Sequence, residues 1–259
     1  MALVRSDGGR KVQINFGGRE IGMKLVYYGP ALSGKTTNLR SLHQLTAEAS
    51  RGRLMTLETK DDRTLFFDML PVTFRAQSAS LSAGNAMTLR IKIFTVPGQV
   101  LHSSTRRLVL QGADGVAFIA DSQISETEHN AASFLDLRQN LTEHGLSIKD
   151  LPLVIQFNKR DLDKVRSDDE LSALALRGRE PVFKASAVNG AGVIETFFGL
   201  LHLAWTKLDS EHRLHKMLGI ETAQFVPMAA RQVGVTTDIA KVLSACVGGN
   251  LDRHVQVSK

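Results

Sequence analysis

The chain has 259 residues, 43% of them hydrophobic and 22% charged, which excludes wholesale disorder and allows a core of ordinary size. Its 32 basic and 26 acidic side chains leave a net charge of +6, spread along the chain, which excludes a concentrated nucleic-acid stripe. Cys246 is the only cysteine, so no internal disulfide forms, and no apolar run reaches the roughly 18–20 residues of a membrane helix. A cytoplasmic protein is the expectation.

Residues 1–10 are polar and Gly-bearing, and a flexible tail is expected there. Lys11–Phe16 suits a short strand, and Glu20–Tyr28 (EIGMKLVYY) is apolar enough for a buried one. Gly29–Thr37 and a helical stretch to about Ser50 follow. Arg53–Glu58 reads as an edge strand, Lys60–Pro71 as a charged and aromatic loop, and Ala83–Asn85 as a hairpin tip. Met87–Val96 alternates like a half-buried strand, stopped by Pro97–Gly98, and Val100–Leu110 suits a helix. Gly115–Ala120 reads as a buried strand. The helix Ser125–His144 opens on a Ser125/Glu128 capping box. Leu151–Phe157 is a further buried strand, Asp168–Leu176 a short helix, Pro181–Lys184 a short strand and Val193–Leu208 an amphipathic helix. Beyond it, Asp209–Leu218 extends that helix, Gln224–Gly234 is irregular, and Thr236–Val247 has one apolar helical face with Thr236 or Thr237 as cap.

Strands and helices therefore alternate from residue 20 to about 208. The pattern implies an α/β fold with a mostly parallel sheet and helices on both faces, its ligands beyond the carboxyl ends of the strands. Three domain segments result: a tail over 1–10, an α/β domain over 11–208, and a partly helical extension over 209–259.

The informative residues lie just after strands. Gly29-Pro30-Ala31-Leu32-Ser33-Gly34-Lys35-Thr36 fits G-x-x-x-x-G-K-[ST] between a buried strand and a helix, the setting of a P-loop. Such a loop turns backbone N–H groups inward, so that Gly29, Ala31, Leu32, Ser33, Gly34 and Thr37 cradle a polyphosphate at the helix's positive end. Lys35 reaches the outer phosphates, and the Thr36 hydroxyl is a ligand for Mg2+.

Asn158-Lys159-Arg160-Asp161 follows the strand Leu151–Phe157 and fits N-K-x-D, the pattern by which guanine-nucleotide binders choose their base. A carboxylate at Asp161 accepts from the N1–H and 2-amino groups of guanine. Adenine offers neither donor and leaves the carboxylate unpaired. Lys159 lies against the base, and Asn158 ties this loop to the phosphate loop. Ser186 and Ala187, after the strand Pro181–Lys184, are placed to offer N–H groups to the guanine carbonyl. Thr95-Val96-Pro97-Gly98-Gln99 ends another strand: Gly98 suits a γ-phosphate contact and Gln99 an attacking water. Arg63 and Thr64 lie in the Lys60–Pro71 loop, where an arginine in cis can stabilise phosphoryl transfer and a Thr can close on magnesium.

The stretches Val26–Leu39, Asp62–Pro71 (DRTLFFDMLP), Thr95–Val100 (TVPGQV), Ala120–Gln123 (ADSQ) and Asn158–Leu162 (NKRDL) together resemble the MglA-type bacterial Ras-like small GTPases of gliding motility and cell polarity. The resemblance implies a P-loop fold, GTP and GDP as ligands, Mg2+ as cofactor, and slow GTP hydrolysis with switch loops that recruit motility or polarity effectors. It further implies that Arg63 is an intrinsic arginine finger, that Gln99 positions water, and that Thr64 completes the magnesium shell. The partner it implies is a Roadblock-fold activator of the MglB type, and polar or membrane-peripheral localisation would come through partners.

Three departures stand out. Ala31 occupies a position usually held by Gly in small GTPases, and its methyl group crowds Gln99 or Arg63, which favours slow hydrolysis or a GTP-binding scaffold with little turnover. Thr73–Ala86 is longer and more polar than in relatives. The tail beyond Leu208 is extra.

Overall fold

In the computed structural model, the described residues are 2–5, 11–15, 20–57, 67–75, 88–97, 103–235, 238–247 and 251. Arg63, Thr64, Gly98, Gln99 and the expected tip Ala83–Asn85 lie outside them. The described strands are β1 (Ala2–Arg5), β2 (Lys11–Asn15), β3 (Glu20–Tyr28), β4 (Met55–Leu57), β5 (Phe67–Arg75), β6 (Thr88–Thr95), β7 (Gly115–Asp121), β8 (Leu153–Asn158) and β9 (Val182–Lys184). The helices are α1 (Lys35–Leu45), α2 (Ser103–Leu110), α3 (Thr127–Glu143), α4 (Asp168–Arg177), α5 (Val193–His212), α6 (Leu214–Leu218), α7 (Thr222–Gln232) and α8 (Ile239–Ser244).

The main sheet runs β4-β5-β6-β3-β7-β8-β9. β6, β3, β7, β8 and β9 are parallel, while β5 and β4 are antiparallel to their neighbours. This is the α/β sheet of a small-GTPase-like P-loop fold. β2 pairs antiparallel with the first half of β3, and β1 with β2. Within the stretch read as a tail, Ala2–Arg5 is thus a strand, paired antiparallel with Lys11–Ile14.

Period-two alternation divides the core. Ile21, Met23, Leu25 and Tyr27 of β3 face α1 and α5, whereas Val26 and Tyr28 face Leu110 of α2, Leu137 and Leu141 of α3 and Leu171 of α4. All seven residues of β7 are buried, as expected of a central parallel strand covered on both sides.

Several expectations give way to longer-range contacts. β5 spans the end of the Lys60–Pro71 loop and the start of the polar segment. Pro71 lies inside it, and its carbonyl accepts from Gly52 N–H at 2.8 Å. Ser125 caps nothing: Ile124–Glu126 is a 3-10 turn, so α3 starts at Thr127, whose hydroxyl donates to the Ile124 carbonyl. The box that does form is Ser167/Glu170 on α4. α5 continues to His212 and breaks at Arg213, which has left-handed φ, before α6. Gln224–Gly234 is mostly helix α7, despite Pro227. Phe225, Val226, Ala229 and Ala230 are buried, and their burial outweighs the hydrogen bond that Pro227 removes. The cap of α8 is Asp238, whose carboxylate accepts from Ala240 N–H at 3.0 Å.

The C-terminal helices dock on the α1/α5 face. Phe225 stacks on Trp205 with centroids 3.8 Å apart and meets Phe74 edge-on at 6.5 Å. Ser50 Oγ donates to the Gln232 carbonyl and Ala47 N–H to the Val233 carbonyl, both at 2.8 Å. Val247 N–H donates to the Val182 carbonyl at the β9 edge, and Cys246 is buried.

Asp209 fastens the turn into this extension. It accepts from His215 N–H at 2.6 Å, from His215 Nδ1 at 2.8 Å, and from the Thr222 hydroxyl. Burial pushes its carboxyl up, but the bonds from Thr222 and His215 outweigh burial and hold it below the ordinary carboxylate range. A depressed folded pKa gives stability that is present above the unfolded value and lost as pH falls through the folded one. Asp209→Asn should therefore lower the melting temperature at pH 7 by about 3 °C or more, and the gap to the wild type should close below roughly pH 4. A thermal-melt series over pH checks this; a gap that persists undiminished in acid would refute it.

Candidate nucleotide-binding site

Three loops converge at the carboxyl ends of β3, β8 and β9. The first joins β3 to α1. Gly29 has φ +141°, and a Cβ there would lie 2.2 Å from the Ile119 carbonyl oxygen. Gly34 has φ +93°, and a Cβ there would lie 2.2 Å from Asn158 Nδ2. No other residue fits either place without moving backbone or the neighbouring loop. Leu32 also adopts left-handed φ, with its side chain turned to solvent, and Ala31 is exposed. No side-chain hydrogen bond caps α1 at Gly34, so the start of this helix, Gly34 to Thr37, is suited to an anion. Ser33 is fully buried, and its hydroxyl has no hydrogen-bond partner among the described residues.

Lys35 is only 7% exposed. Its ammonium donates to the Gly29 carbonyl at 2.9 Å and to the Pro30 carbonyl. Burial pushes its pKa down to about 7, and the positive charge of Arg106 adds to the shift. A cation held on loop carbonyls, with no carboxylate partner among the described residues, is one that an arriving phosphate would relieve.

Asn158, at the end of β8 and 2% exposed, bridges the other two loops. Its Nδ2 donates to the Ser33 carbonyl at 2.8 Å, and its Oδ1 accepts from Ala187 N–H at 2.9 Å. Ser186 Oγ donates to Asp161 Oδ1 at 2.5 Å, fixing the carboxylate against the third loop. Arg160 N–H donates to the Ala185 carbonyl at 3.0 Å. The N–H groups of Ser186 and Ala187 do not stand open, contrary to expectation. The first goes to the Ala191 carbonyl at 2.9 Å, the second to Asn158, because the tight turn after β9 folds both back on the protein. This loop orients Asp161 and Asn158.

Two further features of the site come from tertiary contacts that the local sequence does not show. Asp121, buried at the end of β7, binds Lys159 Nζ at 2.6 Å and accepts from Gln123 N–H at 3.0 Å. It holds the lysine, whose own φ is left-handed, over the space beside Asp161. A lone charge ending a wholly apolar strand was the available signal. Beneath the loops, Gln156 donates to Asn38 Oδ1 at 3.0 Å and to Thr196 Oγ1 at 2.8 Å, while Asn38 Nδ2 donates to the Gly34 carbonyl at 3.0 Å. This buried chain ties α1, β8 and α5 together and so links the β3–α1 loop to the end of β8.

Among the described residues no cluster of three or more His, Cys, Asp or Glu could hold a metal, and no helix is long and apolar enough to cross a membrane. The oxygen donor at the loop is the hydroxyl of Thr36, with that of buried Thr95 at the end of β6. Such hard donors suit Mg2+ shared with phosphate oxygens.

Compared with known proteins, the chain is 43% identical over 195 residues to the mutual gliding-motility protein MglA of Myxococcus xanthus (strain DK1622). The match covers 75% of this chain and 96% of that protein. No protein-family model matches the chain.

Proposed function

Because the chain belongs to the MglA-type family of bacterial Ras-like small GTPases, we propose that it is a guanine-nucleotide switch of motility or polarity that hydrolyses GTP slowly. The observation that carries this reading is Asn158, buried and bonded at once to Ser33 of the phosphate loop and Ala187 of the third loop. It makes phosphate grip and base choice one structure. In this reading 11–208 is the GTPase domain and 209–259 an extension that leans on it.

The backbone of Gly29–Thr37 binds the phosphates, with Lys35 turning from its loop carbonyls to their outer oxygens. Asp161 accepts from guanine, Lys159 covers the base under the hold of Asp121, and Ser186 and Ala187 support them. Thr36 and Thr64 would hold Mg2+, and Gly98 would meet the γ-phosphate. The chemistry such an ion would supply there is neutralisation of charge on the phosphate oxygens. Gln99 orients the water, and Arg63 places its guanidinium on the transferred group, the contribution that gains most in phosphoryl transfer. Loss of the γ-phosphate then releases the segments carrying Arg63, Thr64, Gly98 and Gln99, changing the surface offered to effectors. A Roadblock-fold MglB-like activator would align these residues without donating an arginine. The protein is cytoplasmic in this reading, and reaches a pole or membrane through partners.

Ala31 favours a second reading, a GTP-binding scaffold with little turnover, since a methyl group stands where small GTPases usually have none. Single-turnover phosphate release separates the two. A switch should be accelerated by an MglB-type protein and should lose about 10³-fold or more of that rate on Arg63→Ala or Gln99→Leu. No acceleration and no loss would favour the scaffold.

A further inference from the structure

Gln156 interrupts the apolar run of β8, on the sheet face that also carries Val154, and it is fully buried. Its amide donates to Asn38 Oδ1 at 3.0 Å and to Thr196 Oγ1 at 2.8 Å, while its own Oε1 has no partner among the described residues. Asn38, equally buried, lies in the first turn of α1. Its Nδ2 donates to the Gly34 carbonyl at 3.0 Å, and its backbone N–H donates to the same oxygen at 2.9 Å. Two residues beyond Gln156, Asn158 Nδ2 donates to the Ser33 carbonyl at 2.8 Å. Alternate residues of one strand thus hold two successive carbonyls of the phosphate loop, Asn158 directly and Gln156 through Asn38.

The consequence lies at the other end of each peptide. A trans peptide is planar, so its N–H points opposite to its carbonyl. With the Gly34 carbonyl drawn along α1 to Asn38, the N–H of Lys35 points out of the start of the helix, the side from which an anion approaches. Gly34 itself has φ +93°, outside the helical range, so helix geometry alone does not fix this peptide. An asparagine amide can turn either end to a neighbour. The donor from Gln156 on Oδ1 commits the other end, Nδ2, to Gly34.

Resting on the nucleotide reading above, we propose that Gln156 and Asn38 are positioning residues for the phosphates: Gln156 orients the Asn38 amide, Asn38 orients the Gly34–Lys35 peptide, and the Lys35 N–H is thereby aimed at the nucleotide without either side chain touching it.

The fold itself needs little from Gln156. Gln156→Met removes one unpaired buried oxygen, Oε1, and leaves another, Asn38 Oδ1, while Thr196 keeps its bond to the Gly192 carbonyl at 2.7 Å. The melting temperature of the ligand-free variant should therefore move by about 4 °C or less.

Affinities of GDP, GTP and inosine diphosphate for Gln156→Met, Asn38→Ala and the double variant, measured beside thermal melts, test the proposal. Phe225→Leu, at the stack on Trp205, serves as a destabilised control away from the loops. Gln156→Met should bind GDP and GTP about tenfold more weakly. Inosine diphosphate should weaken by the same factor, so that the preference for guanine survives. Asn38→Ala should lose at least as much, and the double variant should bind no worse than Asn38→Ala, since both residues act on one carbonyl. Phe225→Leu should melt lower with its nucleotide affinities unchanged. Unchanged GDP affinity in Gln156→Met, losses that add in full in the double variant, or an equal loss in Phe225→Leu would each overturn the proposal. If Asn38→Ala does not fold, Gln156→Met decides alone: a tenfold loss at unchanged stability supports the proposal, and unchanged affinity overturns it. A wild-type chain that binds neither GDP nor GTP overturns the nucleotide reading, and this proposal with it.

Discussion

Lys35→Met should raise the melting temperature of the ligand-free protein while all but abolishing nucleotide binding. The two effects have one cause. The Lys35 ammonium is buried against the carbonyls of Gly29 and Pro30, and desolvation, helped by Arg106, brings its pKa down to about 7. In the unfolded chain a lysine titrates near 10.4. Between those values the unfolded state binds more protons, so this residue's penalty on folding is full below about pH 7 and fades as pH rises towards 10. Methionine fills a similar volume without the charge. The variant should therefore melt higher than the wild type at pH 6, with the difference shrinking by pH 9. Towards a triphosphate the sign reverses, because charge-assisted bonds at about 1.5–3 kcal/mol each are lost, and two of them correspond to a fall in affinity on the order of 10²–10⁴-fold. Melts across pH and a nucleotide titration test both halves. A variant that melts lower at pH 6 and still binds nucleotide would contradict them.

The second large effect is expected at Asp161. Ser186 holds this carboxylate in place, so Asp161→Asn changes its hydrogen-bonding character with little change of position. The amide cannot accept from two guanine donors at once, and GTP affinity should fall roughly 10²–10³-fold. Inosine triphosphate lacks the 2-amino group. The wild type should prefer GTP over it by about tenfold or more, and the variant should lose most of that preference. ATP should remain a poor ligand for both, since adenine supplies no donor at N1. Competition titrations with the three nucleotides read this out. Equal GTP affinity in wild type and variant would remove Asp161 from the site.

Much of the site was legible because the chemistry is local. The phosphate loop is a contiguous run, and its glycines sit where a Cβ would collide. The strands β3, β7 and β8 were legible because a strand covered on both faces is apolar throughout. What escaped depends on distant partners. α7 looked irregular because Pro227 breaks the local pattern, while its stability comes from Phe225 against Trp205 and Phe74. The charged, aromatic run Lys60–Pro71 reads as a loop and the polar segment from Thr73 as another, whereas β5 bridges the two on pairing that flanking segments supply. The Ser125/Glu128 pattern fits a capping box as well as Ser167/Glu170 does, and only the latter forms. Asp121 on Lys159 and Asp136 on Arg106 are joined by tertiary structure alone. The apolar stripe Ile239, Val242, Leu243, Cys246 and Val247 is equally compatible with a docked or a partner-binding helix; the first four pack against the α1/α5 core, while Val247 packs on the opposite one.

The central claim about this protein is that this one cradle takes a guanine nucleotide. Calorimetric titration of the 259-residue, nucleotide-stripped chain with GDP and, separately, ADP in magnesium buffer addresses that directly. One GDP should bind per chain, with ADP giving no saturable heat over the same concentrations. Equal binding of the two, or no binding of GDP, would contradict it.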